Sequence, residues 1–201
     1  MAKQTSAAVR TRRDRWADWA VVGVVVVALL LGWVIKALAE GMTDTYTDTE
    51  HSLTLRYPED WLLQGDDQVA FRAVDPGVAD FRTTYEVQVF PVGTQPPTTA
   101  TLSLALNNVS LARAQETTAF RQFEVVKGRE LDGRPTMEST YVFVQKGSDL
   151  FFQKMPIVVM GLDIAVAEGD QVYVFSLLAR QDLYAAAEKD FRRFVRSAKI
   201  W

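Results

Sequence analysis

At 201 residues, 48% of them hydrophobic, the chain is long enough for one globular domain plus an accessory segment. It has no cysteine and one histidine, His51, which excludes disulfides, thiolate metal sites, a cysteine nucleophile, a lipid-attachment cysteine and any zinc site built from several histidines. The net charge of −3 is unevenly held: residues 1–36 carry six of the 22 Lys and Arg and two of the 25 Asp and Glu, a balance of +4, which leaves −7 on residues 37–201 and argues against nucleic acid as a partner of the main domain.

Between Asp18 and Lys36 run 17 uncharged residues, WAVVGVVVVALLLGWVI. As a helix they would span roughly 25 Å, close to the roughly 30 Å of a hydrocarbon core. Ala37, Leu38 and Ala39 extend the run past Lys36, whose long stem can snorkel. Trp16, Trp19 and Trp33 mark the two ends, where amphipathic rings favour the membrane interface. Lys3, Arg10, Arg12, Arg13 and Arg15 precede the run, whereas Glu40, Asp44, Asp48 and Glu50 follow it. The positive-inside rule therefore predicts a basic cytoplasmic tail over 1–18, a single transmembrane helix over 19–38, a linker over 39–50 and an extracytoplasmic domain over 51–201 of a cell-membrane protein. The rival reading is a signal peptide cleaved after Ala39, at the small-x-small triplet Ala37-Leu38-Ala39. An apolar run this long, with Lys36 directly before the triplet, favours an uncleaved anchor; both readings export the domain. The stretch EGMTDTYTDTE is polar, acidic and threonine-rich, and reads as a spacer rather than a packed element.

From His51 the pattern shifts to short strands. HSLTLRY alternates, and YPEDW ends it: Pro58 cannot continue a central ladder, Glu59 and Asp60 suit an exposed turn, and Trp61 returns the chain to the interior. A carboxylate pair for acid/base work is the competing reading of Glu59 and Asp60. QVAFRAV and TTYEVQVFPV are further strands, with Pro91 marking an edge or a terminus. After Gln95-Pro96-Pro97, Thr98 or Thr99 caps a helix over about 99–116 whose stripe is Leu102, Leu106, Val109 and Ala112.

FEVVKGREL and PTMESTYVFVQ flank Asp132-Gly133, a hairpin signal. PIVVMGLDIAVA and QVYVFSLLAR flank the turn Glu168-Gly169-Asp170. VYVFSLLA is apolar on both faces, which predicts a central strand covered on both sides. In the last helix Leu183, Ala187, Phe191, Phe194 and Ala198 form one stripe, Asp182 is the expected cap, and Lys189, Arg192, Arg193 and Arg196 form a solvated basic face, with a docking patch as the alternative. Tight turns between consecutive strands predict an antiparallel sheet, and helices after strand groups predict an α+β layer arrangement.

The segments SLTLRYPEDW, Asp75-Pro76, ELDGRPTMESTYVFV, GLDIAVAEGDQVYVFSLLA and YAAAEKDFRRFVRSAKIW resemble the PsbP-like/Mog1-like group over roughly residues 50–201. The resemblance implies an α/β/α sandwich with a mainly antiparallel sheet of about six strands and helices on both faces. It carries no catalytic signature. The N-terminal run departs from the soluble members and points to a bacterial membrane-anchored type.

Candidate chemistry is sparse. His51 beside Glu50 could serve as a ligand or base, but a lone histidine at a strand start reads as a surface residue. Asp75 and Asp80, with Asp66 and Asp67 upstream, could meet a hard cation, for which the resemblance implies calcium or manganese; yet the spacing lacks a calcium-loop rhythm, and Asp-Pro-Gly is a turn. Asn108-Val109-Ser110 matches a glycosylation sequon inside a predicted helix and reads as a chance match. There is no phosphate loop, nucleophile elbow or His-Glu-x-x-His. No catalytic, cofactor-binding or metal residue is assigned. The expectation is a non-catalytic, membrane-anchored domain that binds a protein or stabilises a complex. A small-ligand or divalent-ion module is second, and a hydrolase third.

Overall fold

Valine-rich segments are poor helix formers in water, yet residues Arg12–Ala39 form one helix, α1, of 28 residues. At 1.5 Å per residue it is roughly 42 Å long. The computed structural model describes residues 12–39, 42–65, 69–77, 80–92, 97–145 and 156–201. It divides into a unit ending at Met42 and a unit Thr43–Trp201. In α1 the described side chains are Trp19 and residues 21–33, all exposed. Among the described residues no helix is long and apolar enough to cross a membrane.

The second unit opens with a strand that the sequence reading placed in a spacer. β1 (Thr43–Asp48) pairs antiparallel with β2 (Leu53–Pro58), from Thr43 opposite Pro58 to Asp48 opposite Leu53. Threonine and tyrosine favour extended backbone, but β1 is an edge strand and mostly exposed, so it lacks the apolar alternation that marks a half-buried strand. Tyr46 is its anchor: the hydroxyl donates to the Ala70 carbonyl at 2.9 Å, and the ring lies 5.1 Å from Phe71. The Asp48 carboxylate closes the turn by accepting the amides of Glu50 and His51 at 2.9 and 3.2 Å. β10 (Lys199–Ile200) pairs with the other side of β2 and completes a three-stranded sheet.

Among the described residues the large sheet has seven strands, where about six were expected. They are β3 (Leu62–Leu63), β4 (Phe71–Val74), β5 (Thr84–Pro91), β6 (Thr118–Lys127), β7 (Thr136–Gln145), β8 (Ile157–Glu168) and β9 (Gln171–Arg180), in the order β3-β4-β5-β9-β8-β7-β6 and all antiparallel. β9 is central, as its two apolar faces predict. Tyr173, Phe175 and Leu177 face one side with Phe191 and Phe194 of α3 (Tyr184–Ser197). Val172 and Val174 face the other side with Leu102, Leu106 and Val109 of α2 (Thr99–Glu116). The result is an α/β/α sandwich.

Local chemistry sets the boundaries. Thr98 and Thr101 form a reciprocal capping box at the start of α2. Asp132 and Gly133 both have positive φ, 50° and 78°, the tight hairpin conformation that Asp-Gly favours. Pro58 ends β2, Glu59 and Asp60 are exposed, and the Trp61 ring packs 4.4 Å from Tyr85, so YPEDW is a turn with an aromatic anchor. Pro91 is the last residue of β5. The expectation of Asp182 as cap of α3 is corrected. Leu183 holds that position with no side-chain bond, because the Asp182 carboxylate is engaged by Arg180 at 3.0 and 2.7 Å.

Candidate functional site

The densest convergence of ionisable groups is buried. Strand register creates it: Arg72 on β4 lies opposite Glu86 on β5, Glu86 opposite Ser176 on β9, Ser176 opposite Asp163 on β8, and Asp163 opposite Ser139 on β7. Directly opposed residues share a face of the sheet, so one polar row crosses five strands. Glu86, Ser176, Asp163 and Ser139 are all buried.

Above the row lies the C-terminal half of α2. Arg113 Nη2 donates to Glu86 Oε2 at 3.1 Å and stands 4.0 Å from Asp163 Oδ1. Arg72 Nε donates to the other Glu86 oxygen at 3.0 Å. Tyr141, on β7, donates its hydroxyl to Asp163 Oδ1 at 3.0 Å, and the Arg113 guanidinium sits 5.5 Å from the centre of its ring. Gly161 makes room for that ring: a Cβ there would lie 2.2 Å from Tyr141 Cε2 and Cζ. Gln122 extends the network to Ser139 at 2.8 Å.

The charges in this cluster hold one another. Burial works against the Arg113 cation, but the Asp163 and Glu86 carboxylates outweigh it and keep the guanidinium protonated. Burial pushes the Asp163 carboxyl above its ordinary value, while Arg113 and the Tyr141 hydroxyl pull it back; among the described residues its Oδ2, the Ser176 hydroxyl and Arg113 Nε are buried with no hydrogen-bond partner. Burial also carries the Tyr141 phenol well above its ordinary value, so at neutral pH it is a donor. A buried charge is costly unless paired and hydrogen-bonded. The arrangement therefore pins α2 to the sheet, and its reactive atoms are closed to a substrate.

None of these residues was singled out in the sequence. The buried stripe of α2 is Leu102, Ala105, Leu106, Val109 and Ser110 and leads on to half-buried Arg113, whereas Ala112 is exposed, which corrects the expected stripe. The available signal was an acid inside the otherwise apolar run GLDIAVA and an arginine four residues beyond Val109 on the buried side.

The residues that the sequence did single out do not converge. His51 is a half-buried turn residue whose Nδ1 lies 2.7 Å from Asp48 Oδ2, and whose carbonyl accepts the Tyr173 hydroxyl at 2.7 Å. Asp75 Oδ1 accepts the Gly77 amide at 2.7 Å, as an Asp-Pro-Gly turn requires, and Asp80 lies 3.9 Å from Arg180. Asp66 and Asp67 lie outside the described residues. Among the described residues no group of three or more His, Asp and Glu is placed to hold a metal ion. On α3, Arg192 makes two bonds to Glu138, at 3.0 and 2.8 Å, and one to Glu188; Arg193 pairs with Asp190. In the sequon, Asn108 is exposed but Ser110 is buried against the sheet.

No protein-family model matches this chain, and no curated protein matches it. Solved structures do. The cyanobacterial PsbP (CyanoP) of Synechocystis sp. PCC 6803 is similar with a TM-score of 0.57 at 13% identity, over 79% of this chain and 92% of its own. The Ran-binding protein Mog1p of Saccharomyces cerevisiae gives 0.51 at 11%, over 79% and 95%. LpqN of Mycobacterium tuberculosis gives 0.50 at 14%, over 79% and 90%. The chain has the Mog1/PsbP fold.

Among the described residues, hollows open on the surface of this Mog1/PsbP-fold unit. One, of about 770 Å³, is lined by Asp80, Pro156, Ile157, Val158, Arg180, Gln181 and Asp182. Its size lies in the range of small-molecule sites, but its Arg180 is already held by Asp182. Another, of about 370 Å³, lies beside Tyr46, Leu63, Phe71 and Arg72.

Proposed function

We propose that this chain is a membrane-tethered, outward-facing Mog1/PsbP-fold domain that binds a protein partner and performs no catalysis. The observation that carries the tether is α1, in which every described side chain from Val21 to Trp33 is exposed and none is charged. An apolar surface of that kind needs lipid or protein around it. The cationic leader sets its direction. The binding role is supported by the fold. Mog1p is named as a Ran-binding protein, and LpqN is described as involved in cell envelope biogenesis. It is also supported by the polar row, whose buried Glu86 and Asp163 face Arg113 of α2 rather than a substrate.

The test is affinity purification of the full chain from detergent-solubilised native membranes. The expected result is a membrane-fraction protein of full length that brings down a second chain in stoichiometric amount. A shortened soluble product defeats the tether, and a full-length protein recovered alone defeats the binding role. The 770 Å³ hollow favours a second reading, a small-ligand module. Thermal-shift screening with calcium, manganese and small lipids separates the two, because a reproducible rise in Tm belongs only to the second.

A further inference from the structure

Helix α2 lies on the outside of the sandwich, yet no residue from Thr99 to Ala112 is charged. Its first charged residue, Arg113, points into the sheet, and Glu116 ends the helix. Surface helices ordinarily carry their charges on the outward side. Here that side presents Leu104 and Leu111, 60% and 61% exposed and one heptad apart, with exposed Asn107 and Asn108 between them. Among the described residues the two leucines belong to no core cluster and the two asparagines make no side-chain hydrogen bond. The asparagines are also weak helix formers in the middle of the helix.

We propose that this face is a two-fold interface between two copies of the chain, with their α2 helices packed antiparallel. The stripe is self-complementary. In a crossing centred between Asn107 and Asn108, Leu104 of one copy meets Leu111 of the other, and the asparagines meet their twins. An amide both donates and accepts, so each asparagine satisfies its twin, as a closed two-fold contact requires. Charge selects the occupant. Residues 37–201 carry a balance of −7, so two copies repel over most of their surfaces. The uncharged α2 face is where they approach without setting like charges together. It also offers no cation to anionic lipid and no charge to an oppositely charged partner.

The inference is independent of the tether and of the heterologous partner proposed above. The chain has no cysteine, so single-cysteine variants of the full-length protein report position cleanly. With a short bismaleimide in native membranes, Asn107→Cys and Asn108→Cys are expected to cross-link to themselves in high yield. Leu104→Cys co-expressed with Leu111→Cys is expected to give the mixed product. Lys189→Cys, exposed on α3, is expected to give none. Leu104→Glu combined with Leu111→Glu, in the Asn107→Cys background, is expected to cut the yield roughly a hundredfold, because it gathers four carboxylates at one contact. Both leucines are exposed, so Tm should hold and show that the fold survives. Equal yields at Asn107 and Lys189, strongest self-linking at Leu104 or Leu111, or cross-links only to a different protein would each overturn the proposal.

Discussion

Arg113 is the residue on which the attachment of α2 turns. Among the described residues it alone reaches from the helix to the carboxylate pair, through Glu86 at 3.1 Å and Asp163 at 4.0 Å. Replacing it with Leu leaves those carboxylates buried without their main counter-ion, and breaking such a pair costs about 3–5 kcal/mol. The expected outcome is a loss of that size in urea denaturation, largely recovered when Glu86 and Asp163 are replaced by apolar residues in the same chain. Gly161→Ala works on the same cluster by volume. The new methyl overlaps the Tyr141 ring, and overpacking of this kind costs about 1–3 kcal/mol. The pH dependence has a definite sign. Burial raises the Asp163 carboxyl above its ordinary 3.8, so its contribution to folding is fullest below that value and is lost as pH rises through the raised one. Asn at 163 does not titrate. The stability advantage of the native chain over Asp163→Asn should therefore shrink from acid towards neutral pH in matched urea titrations. An advantage that grows with pH would mean that the Arg113 attraction outweighs burial.

At the scale of elements, legibility followed how much of an element's character is local. The span of α2 was readable because Thr98, the Pro-Pro break and the 3.6-residue stripe all lie within one window of sequence. Central β9 was readable because burial on both faces removes polar residues from both. β1 was not readable. Its six residues TDTYTD are polar because they form an exposed edge, and an exposed edge and a solvated spacer have the same composition. The two readings differ in energy. A spacer residue changes stability by no more than about 0.5 kcal/mol when truncated. Tyr46 bonds Ala70 and packs on Phe71, so Tyr46→Ala should cost about 2 kcal/mol. The midpoint of urea unfolding at constant m-value decides between them. The polar row was hidden for a related reason. Arg72, Glu86, Ser139, Asp163 and Ser176 are scattered over a hundred positions, and only the register of five strands brings them into line. Single-strand alternation can place an acid on a face, but it cannot say what lies opposite.

The whole molecule is organised by charge on a longer scale than any element. The balance is +4 over residues 1–36 and −7 beyond them, on either side of the uncharged run Trp19–Ile35. If the tether orients the chain, orientation must answer to the leader and not to the domain, because lysines and arginines near a span set its direction while acidic residues contribute little. Replacing Arg10, Arg12, Arg13 and Arg15 with Glu removes four cations from the leader and leaves Lys36 as the nearest cation on the far flank. A periplasm-active phosphatase and a cytoplasm-active fluorescent protein, each fused after Trp201, then read the outcome. The native leader should give phosphatase activity with little fluorescence, and the reversed leader should shift the ratio towards fluorescence. The folded unit is untouched by these changes, so its urea midpoint should not move. An unchanged ratio with the reversed leader would mean that this helix does not take its direction from the charges around it, and the outward placement of the Mog1/PsbP-fold domain would lose its physical basis.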